Sequence, residues 1–166
     1  SPLIVSHHRL SPLASPRLRH VQVLLFAKVT AEANLHQPGL LPFVGPLKGA
    51  LARYDWVQDL MFHLIDPAEN EHVAQAAESR HTPVGHFIRI RKGTKVRLPV
   101  QVFTLLETPQ GRQFHPNITV VEEGAEVEMI SGSAVPASVH TGHHLSISET
   151  YLREGATCRS VSIEHW

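Results

Sequence analysis

A mainly β chain is the fold class this sequence predicts, a solenoid with a repeat of about 31 residues behind a short helical hairpin. The first observation behind it is a repeat. Ile90-Arg91-Lys92-Gly93-Thr94-Lys95-Val96, Val121-Glu122-Glu123-Gly124-Ala125-Glu126-Val127 and Leu152-Arg153-Glu154-Gly155-Ala156-Thr157-Cys158 share one pattern, and their glycines lie 31 residues apart. Three positions before each glycine stands Ile90, Val121 or Leu152, and three after it stands Val96, Val127 or Cys158. Each unit reads as strand, tight charged turn, strand. The second observation is that apolar residues after Gly85 come in short β-type runs broken by turns. A fixed period with apolar positions in register marks a stacked array, in which each unit buries its face against its neighbours.

The elements follow in chain order. Residues 1–50 hold six of the twelve prolines. Each proline removes a donor and disfavours helix in the residue before it. This N-terminal segment is expected to be irregular, with one short strand at Val21–Phe26. Residues 51–84 are expected to form a helical hairpin leading into the core. Its first helix, Asp55–Ile65, would present Trp56, Val57, Leu60, Met61, Leu64 and Ile65 on one face, capped by Asp55. A second helix would start at Asp66-Pro67-Ala68-Glu69 and break at Ser79–Pro83, since aspartate caps and proline suits the first helical position. Residues 85–166 would then be the coils, incomplete at the C-terminus because the last strand ends on Trp166 with no capping element.

Composition narrows the function. Lys plus Arg and Asp plus Glu both number 15, so no basic excess points to nucleic acid or an anionic membrane. No apolar run approaches the roughly 18–20 residues that span a bilayer. A single cysteine, Cys158, excludes an intrachain disulfide and a cysteine-only metal site within one chain, and fits a reducing, cytoplasmic setting. Neither phosphate-binding glycine motif is present.

Thirteen histidines occur, densest at His140-Thr141-Gly142-His143-His144, with Glu149 five residues on. Imidazole and carboxylate suit zinc or iron, so His140, His143, His144 and Glu149 are the candidate metal ligands. The spacing also partly matches the first metal motif of cupins, which has His-x-His where this chain has His-x-x-His-His. A small cupin-like, metal-dependent enzyme using His143, His144 and Glu149 is therefore the alternative function. A loop of solvated or hydrogen-bonded histidines is the structural alternative. Cys158 holds the position filled by Val96 and Val127 in the other units, which points to a small core side chain.

Several stretches resemble one known family. They are Tyr54-Asp55-Trp56-Val57-Gln58-Asp59, His86-Phe87-Ile88-Arg89-Ile90-Arg91-Lys92-Gly93, Asn117 to Ala134, His144 to Leu152, and Ser162-Ile163-Glu164-His165-Trp166. In this order they are similar to the N-terminal part of the core of SufB/SufD iron–sulfur cluster assembly proteins. The resemblance implies a right-handed parallel β-helix that pairs with a second SufB/SufD-like subunit. It also implies binding of the SufC-type ABC ATPase through helices after the β-helix. The role implied is that of a scaffold rather than an enzyme, with ATPase activity in the partner and the cluster held by the full complex. Where the family often has Gly-Cys-Ala or Gly-Cys-Thr, this chain has Gly132-Ser133-Ala134. That thiol is absent, so the partial chain alone is expected to bind no cluster.

Overall fold

A computed structural model describes residues 4–9, 23–24, 43–78, 85–106 and 111–165. Its strands are β1 (Ile4–Arg9), β2 (Val23–Leu24), β3 (Phe43–Pro46), β4 (His86–Ile90), β5 (Val100–Leu105), β6 (Gly111–Val121), β7 (Glu126–Ala134), β8 (Gly142–Leu152) and β9 (Thr157–His165). They form two sheets, ordered β1-β8-β6-β4-β3 and β2-β5-β7-β9. From β4 to β9 the chain feeds the sheets alternately, and β4, β6, β8 and β5, β7, β9 pair in parallel within each. The fold is mainly β with parallel sheets.

The ladder reproduces the sequence repeat. Phe87 pairs with Ile118 and Ile118 with Glu149, each step 31 residues, and Val127 pairs with Cys158 at the same offset. Gly93, Gly124 and Gly155 have φ of 69°, 63° and 66°. Each is third in a turn closed by an i→i+3 bond: the N–H of Thr94, Ala125 and Ala156 donates to Arg91, Glu122 and Arg153. That geometry needs a left-handed third residue, hence glycine. The turns also bond to one another, Gly93 N–H to Glu123 O and Gly124 N–H to Glu154 O, both at 2.9 Å.

The second sheet departs from strict periodicity. Lys95 bridges Glu126 at an offset of 31, but Val100 pairs with Met129 at an offset of 29. Two extra residues are absorbed in the run Arg97-Leu98-Pro99, where Pro99 has no N–H to offer a ladder.

The core between the sheets contains Ile88, Ile90, Val96, Val100, Val102, Val121, Ala125, Val127 and Met129, with Cys158 partly buried against it. A second cluster lies on the opposite face of the first sheet, where Phe87, Ile118 and Val120 meet Leu47, Ala50 and Val57. Close approach is strict at two points: a Cβ at Gly85 would lie 1.6 Å from the Pro116 carbonyl oxygen, and one at Gly132 2.4 Å from that of Ile163.

The segment before the coils differs from the expected hairpin. Regular structure already begins within the Pro-rich segment, with β3 antiparallel to β4 and a helix α1 at Leu47–Arg53. Asp55–Leu60 is a 3-10 helix entered from Tyr54, and the expected α-helix to Ile65 does not form. Asp66 does accept the Ala68 N–H at 2.8 Å, but it caps a single 3-10 turn, Pro67–Glu69. Helix α2 starts later, at Glu71–Glu78, where Asn70 accepts the N–H groups of His72 and Val73. The expected break at 79–83 and Trp166 lie outside the described residues.

Candidate functional site

Three buried histidines gather on one face of the first sheet. On β6, Gln113, His115 and Asn117 share strand parity with the core residue Val121, so they line the same side. The registers bring His86, Asn117 and Ser148 into one column and Gln113 and His144 into another, since neighbouring strands of this sheet are offset by 31 residues. Asn117 ties the first column together. Its Oδ1 accepts the His86 N–H at 3.1 Å, and its Nδ2 donates to Ser146 Oγ at 3.0 Å and Ser148 Oγ at 3.3 Å.

The second column fixes a tautomer. Gln113 Nε2 donates to Leu105 O at 2.8 Å, which turns Oε1 toward His144. That oxygen only accepts, so His144 Nδ1 carries the proton across their 3.1 Å contact. The His115 and His144 rings lie 4.9 Å apart between centroids. His115 is 2% exposed, and its Nε2 has no hydrogen-bond partner among the described residues. Burial lowers the His86 pKa to about 4. Burial, followed by the nearby His144 and His86, lowers that of His115 to about 3. Both imidazoles are neutral at pH 7, each with one unprotonated ring nitrogen.

The sequence-derived ligands are placed differently. His140 is exposed, His143 half-buried, and His144 and Glu149 are both buried. His144 faces Gln113 and His115, whereas Glu149 faces the segment after the 3-10 helix. Strand β8 thus sends His144 and Glu149 to opposite faces and does not bring them together. Among the described residues no group of three or more His, Cys, Asp or Glu is arranged to hold a metal ion.

Glu149 instead anchors backbone. Its Oε2 accepts the Phe62 N–H at 2.7 Å, and its Oε1 accepts those of Leu64 at 2.7 Å and Ile65 at 3.3 Å. These donors would bond within the helix expected over Asp55–Ile65. The carboxylate takes them, and Phe62 turns to φ 57° to allow it. Beside it, Tyr151 donates to Leu60 O at 2.7 Å. Burial and the Glu149 carboxylate push the Tyr151 phenol up to about 12.

Cys158 is half-buried with its Sγ 3.9 Å from Met129 Sδ, and burial raises its pKa. The thiol is therefore weakly ionised and poorly nucleophilic. Ser133 is buried and donates to Glu164 of the paired strand β9. Charged side chains pair from one repeat to the next, through Lys92–Glu123 and Lys95–Glu126 at the turns and Arg159–Glu128 between β9 and β7. At Glu122, burial raises the carboxyl pKa, but the Lys92 N–H and the Arg89 guanidinium more than offset it and hold the group below its ordinary value. Gln113 and His115 fall outside the stretches that carry the resemblance. The signal in the sequence is the 31-residue alignment, which sets His86 with Asn117 in one buried column and Gln113 with His144 in another.

These features define a repeat protein of stacked parallel strands with a polar histidine lane inside. No family model matches the chain. It is 32% identical to an iron–sulfur cluster assembly SufBD family protein of Archaeoglobus fulgidus, over 72% of this chain and 31% of the relative. It is 29% identical to a SufBD family protein of Methanothermobacter thermautotrophicus (strain Delta H), over 70% of this chain and 29% of that one. The iron–sulfur cluster assembly protein SufB of Bacillus subtilis is 28% identical over 62% of this chain and 22% of its own length. Over the stretch it shares with them, the chain belongs to the SufB/SufD family. It spans about a third or less of the length of these relatives.

Proposed function

We propose that this chain supplies coils of a right-handed parallel β-helix in a scaffold for iron–sulfur cluster assembly, working in the cytoplasm. The observation that carries the reading is the 31-residue ladder, which runs through the stretch shared with relatives named as iron–sulfur cluster assembly proteins. Strands fed alternately to two parallel sheets, with stacked turns between them, are what winding in coils requires. The scaffold role implies no catalysis by this chain. Its partners would be a SufC-type ABC ATPase and a second SufB/SufD-like subunit.

The cluster is cargo in this reading, and these coils provide architecture. Support comes from the side chains themselves: Glu149 is committed to three backbone donors, His144 to Gln113, and Cys158 to packing beside Met129. No helix among the described residues is long and apolar enough to cross a membrane. A chimera tests the proposal. This chain's matched stretch replaces its counterpart in the Archaeoglobus fulgidus relative, and iron and sulfide uptake is measured after anaerobic reconstitution. Uptake equal to the parent's is expected. A folded chimera that takes up neither would sink the reading.

A further inference from the structure

The interior between the sheets is divided along the strands. Toward the glycine turns it is apolar, with Ile88, Ile90, Val121 and Met129. Toward the other end, residues of the same inward parity are polar: His115 and Asn117 on β6, Ser146 and Ser148 on β8, and Ser131 and Ser133 on β7. His115 Nε2 lies in this polar half with no partner among the described residues, on a ring that is 2% exposed.

The side chains flanking it have their hydrogen-bonding groups committed. Gln113 gives Nε2 to Leu105 O and turns Oε1 to His144 Nδ1. Asn117 spends both Nδ2 hydrogens, on Ser146 and Ser148, and its Oδ1 takes the His86 N–H. The Ser133 hydroxyl goes to Glu164. A buried ring nitrogen left over in this way bears the whole cost of its lost hydration, and native interiors seldom tolerate that.

We propose that the polar half of the interior is a binding site for one water molecule, held between His115 Nε2 and the Ser146 hydroxyl. Ser146 stands opposite His115 in the ladder, and its contact with Asn117 shows Oγ turned to the same side. Asn117 takes a lone pair of that oxygen and leaves its O–H to give. Water donates and accepts, so it serves His115 in either tautomer and has the two polar partners an internal water needs. Serines are smaller than the isoleucines and methionine of the apolar half, which leaves room beside the ring. No set of three or more metal-ligating side chains converges there among the described residues, so a neutral molecule fits the site and a metal ion does not. The water would tie His115 through Ser146 and Asn117 to His86, joining the two columns into one network. The site does not depend on the assembly role.

Nuclear Overhauser and rotating-frame spectra selected on water, recorded on the isotope-labelled full chain, test the proposal. Water should show contacts to the His115 ring protons with the sign of a long-lived molecule, and none to the methyl groups of Val121 and Val127. Ser146→Ala should lose the contact while the amide signals of Thr119–Val121 stay in place. His115→Phe keeps a ring and removes the nitrogens, and it should delete one long-lived water from the oxygen-17 relaxation dispersion of the solvent. No water contact at His115 in the wild type would overturn the site. A contact unchanged in Ser146→Ala would overturn the bridge, and equal contacts at Val121 and Val127 would overturn the division of the interior. Should His115→Phe fail to fold, the wild-type and Ser146→Ala spectra decide the matter by themselves.

Discussion

Glu149 shows how one side chain can decide the course of a distant segment. Three backbone N–H groups converge on its carboxylate, so removing it strands buried donors as well as deleting bonds. Glu149→Ala should destabilise the protein by about 3 kcal/mol. Glu149→Gln, which keeps one acceptor oxygen, should lose less. Urea unfolding of the two variants checks the order, and equal stabilities would refute the anchoring role. Cys158→Ser should cost about 1 kcal/mol, because a hydroxyl replaces a thiol that packs against Met129. Reaction of Cys158 with a thiol reagent in the folded protein should be slower than in urea. The buried histidines add a pH dependence. Their folded-state pKa values, about 4 for His86 and about 3 for His115, lie below the ordinary 6.5. Between these limits the unfolded chain binds more protons than the folded one, so stability is lost as pH falls. The contribution is whole above 6.5 and is lost progressively down to about 3. At pH 5 the loss should be about 2 kcal/mol for each histidine. In the His115→Gln variant the slope of stability against pH between 6.5 and 4 should be roughly half as steep.

At the scale of elements, the turns make the sharpest prediction. A Cβ at Gly124 would meet no atom within 4 Å, so space does not forbid a side chain there, but φ is 63°. Gly124→Ala should therefore cost about 1–2 kcal/mol by conformation alone, and Gly124→Asn less. Chemical denaturation of both variants tests this. The turns were legible in the sequence because a positive-φ requirement selects glycine and the repeat displays it three times. The 3-10 segment was not legible. Its apolar spacing over Trp56 to Ile65 fits a helix, and the competitor that unwinds it, Glu149, stands 87 residues from Phe62. Periodicity reports local preference and cannot register a partner so far along the chain. The repeat nevertheless held a clue, because Glu149 continues a column begun by Phe87 and Ile118. A carboxylate in an apolar column must find donors or a cation. Here the fold supplies three donors, the N–H groups of Phe62, Leu64 and Ile65.

For the molecule as a whole, the repeat gave the parallel registers, while the antiparallel closing strands escaped it. β1 and β3 lie in the proline-rich segment, and neither belongs to the repeat. The shift from 31 to 29 at β5 and β7 was hidden as well, since the surplus falls between the turn and the strand. At this scale the expected outcome of anaerobic reconstitution is a colourless chain, without stoichiometric iron and sulfide. A stable visible chromophore with both would show that these coils hold the cargo directly. The ladder also has a mechanical consequence. Within each parallel sheet a repeat strand is bonded to the repeat strands next to it, β8, β5 and β4 carrying an antiparallel strand besides, so a chain pulled from its C-terminal end should yield in order, β9 and β8 before β7 and β6. Each 31-residue unit carries about 100 Å of contour length when drawn out. An optical trap should record a series of extensions near that size, shorter where the 29-residue register intervenes, in place of one abrupt rupture.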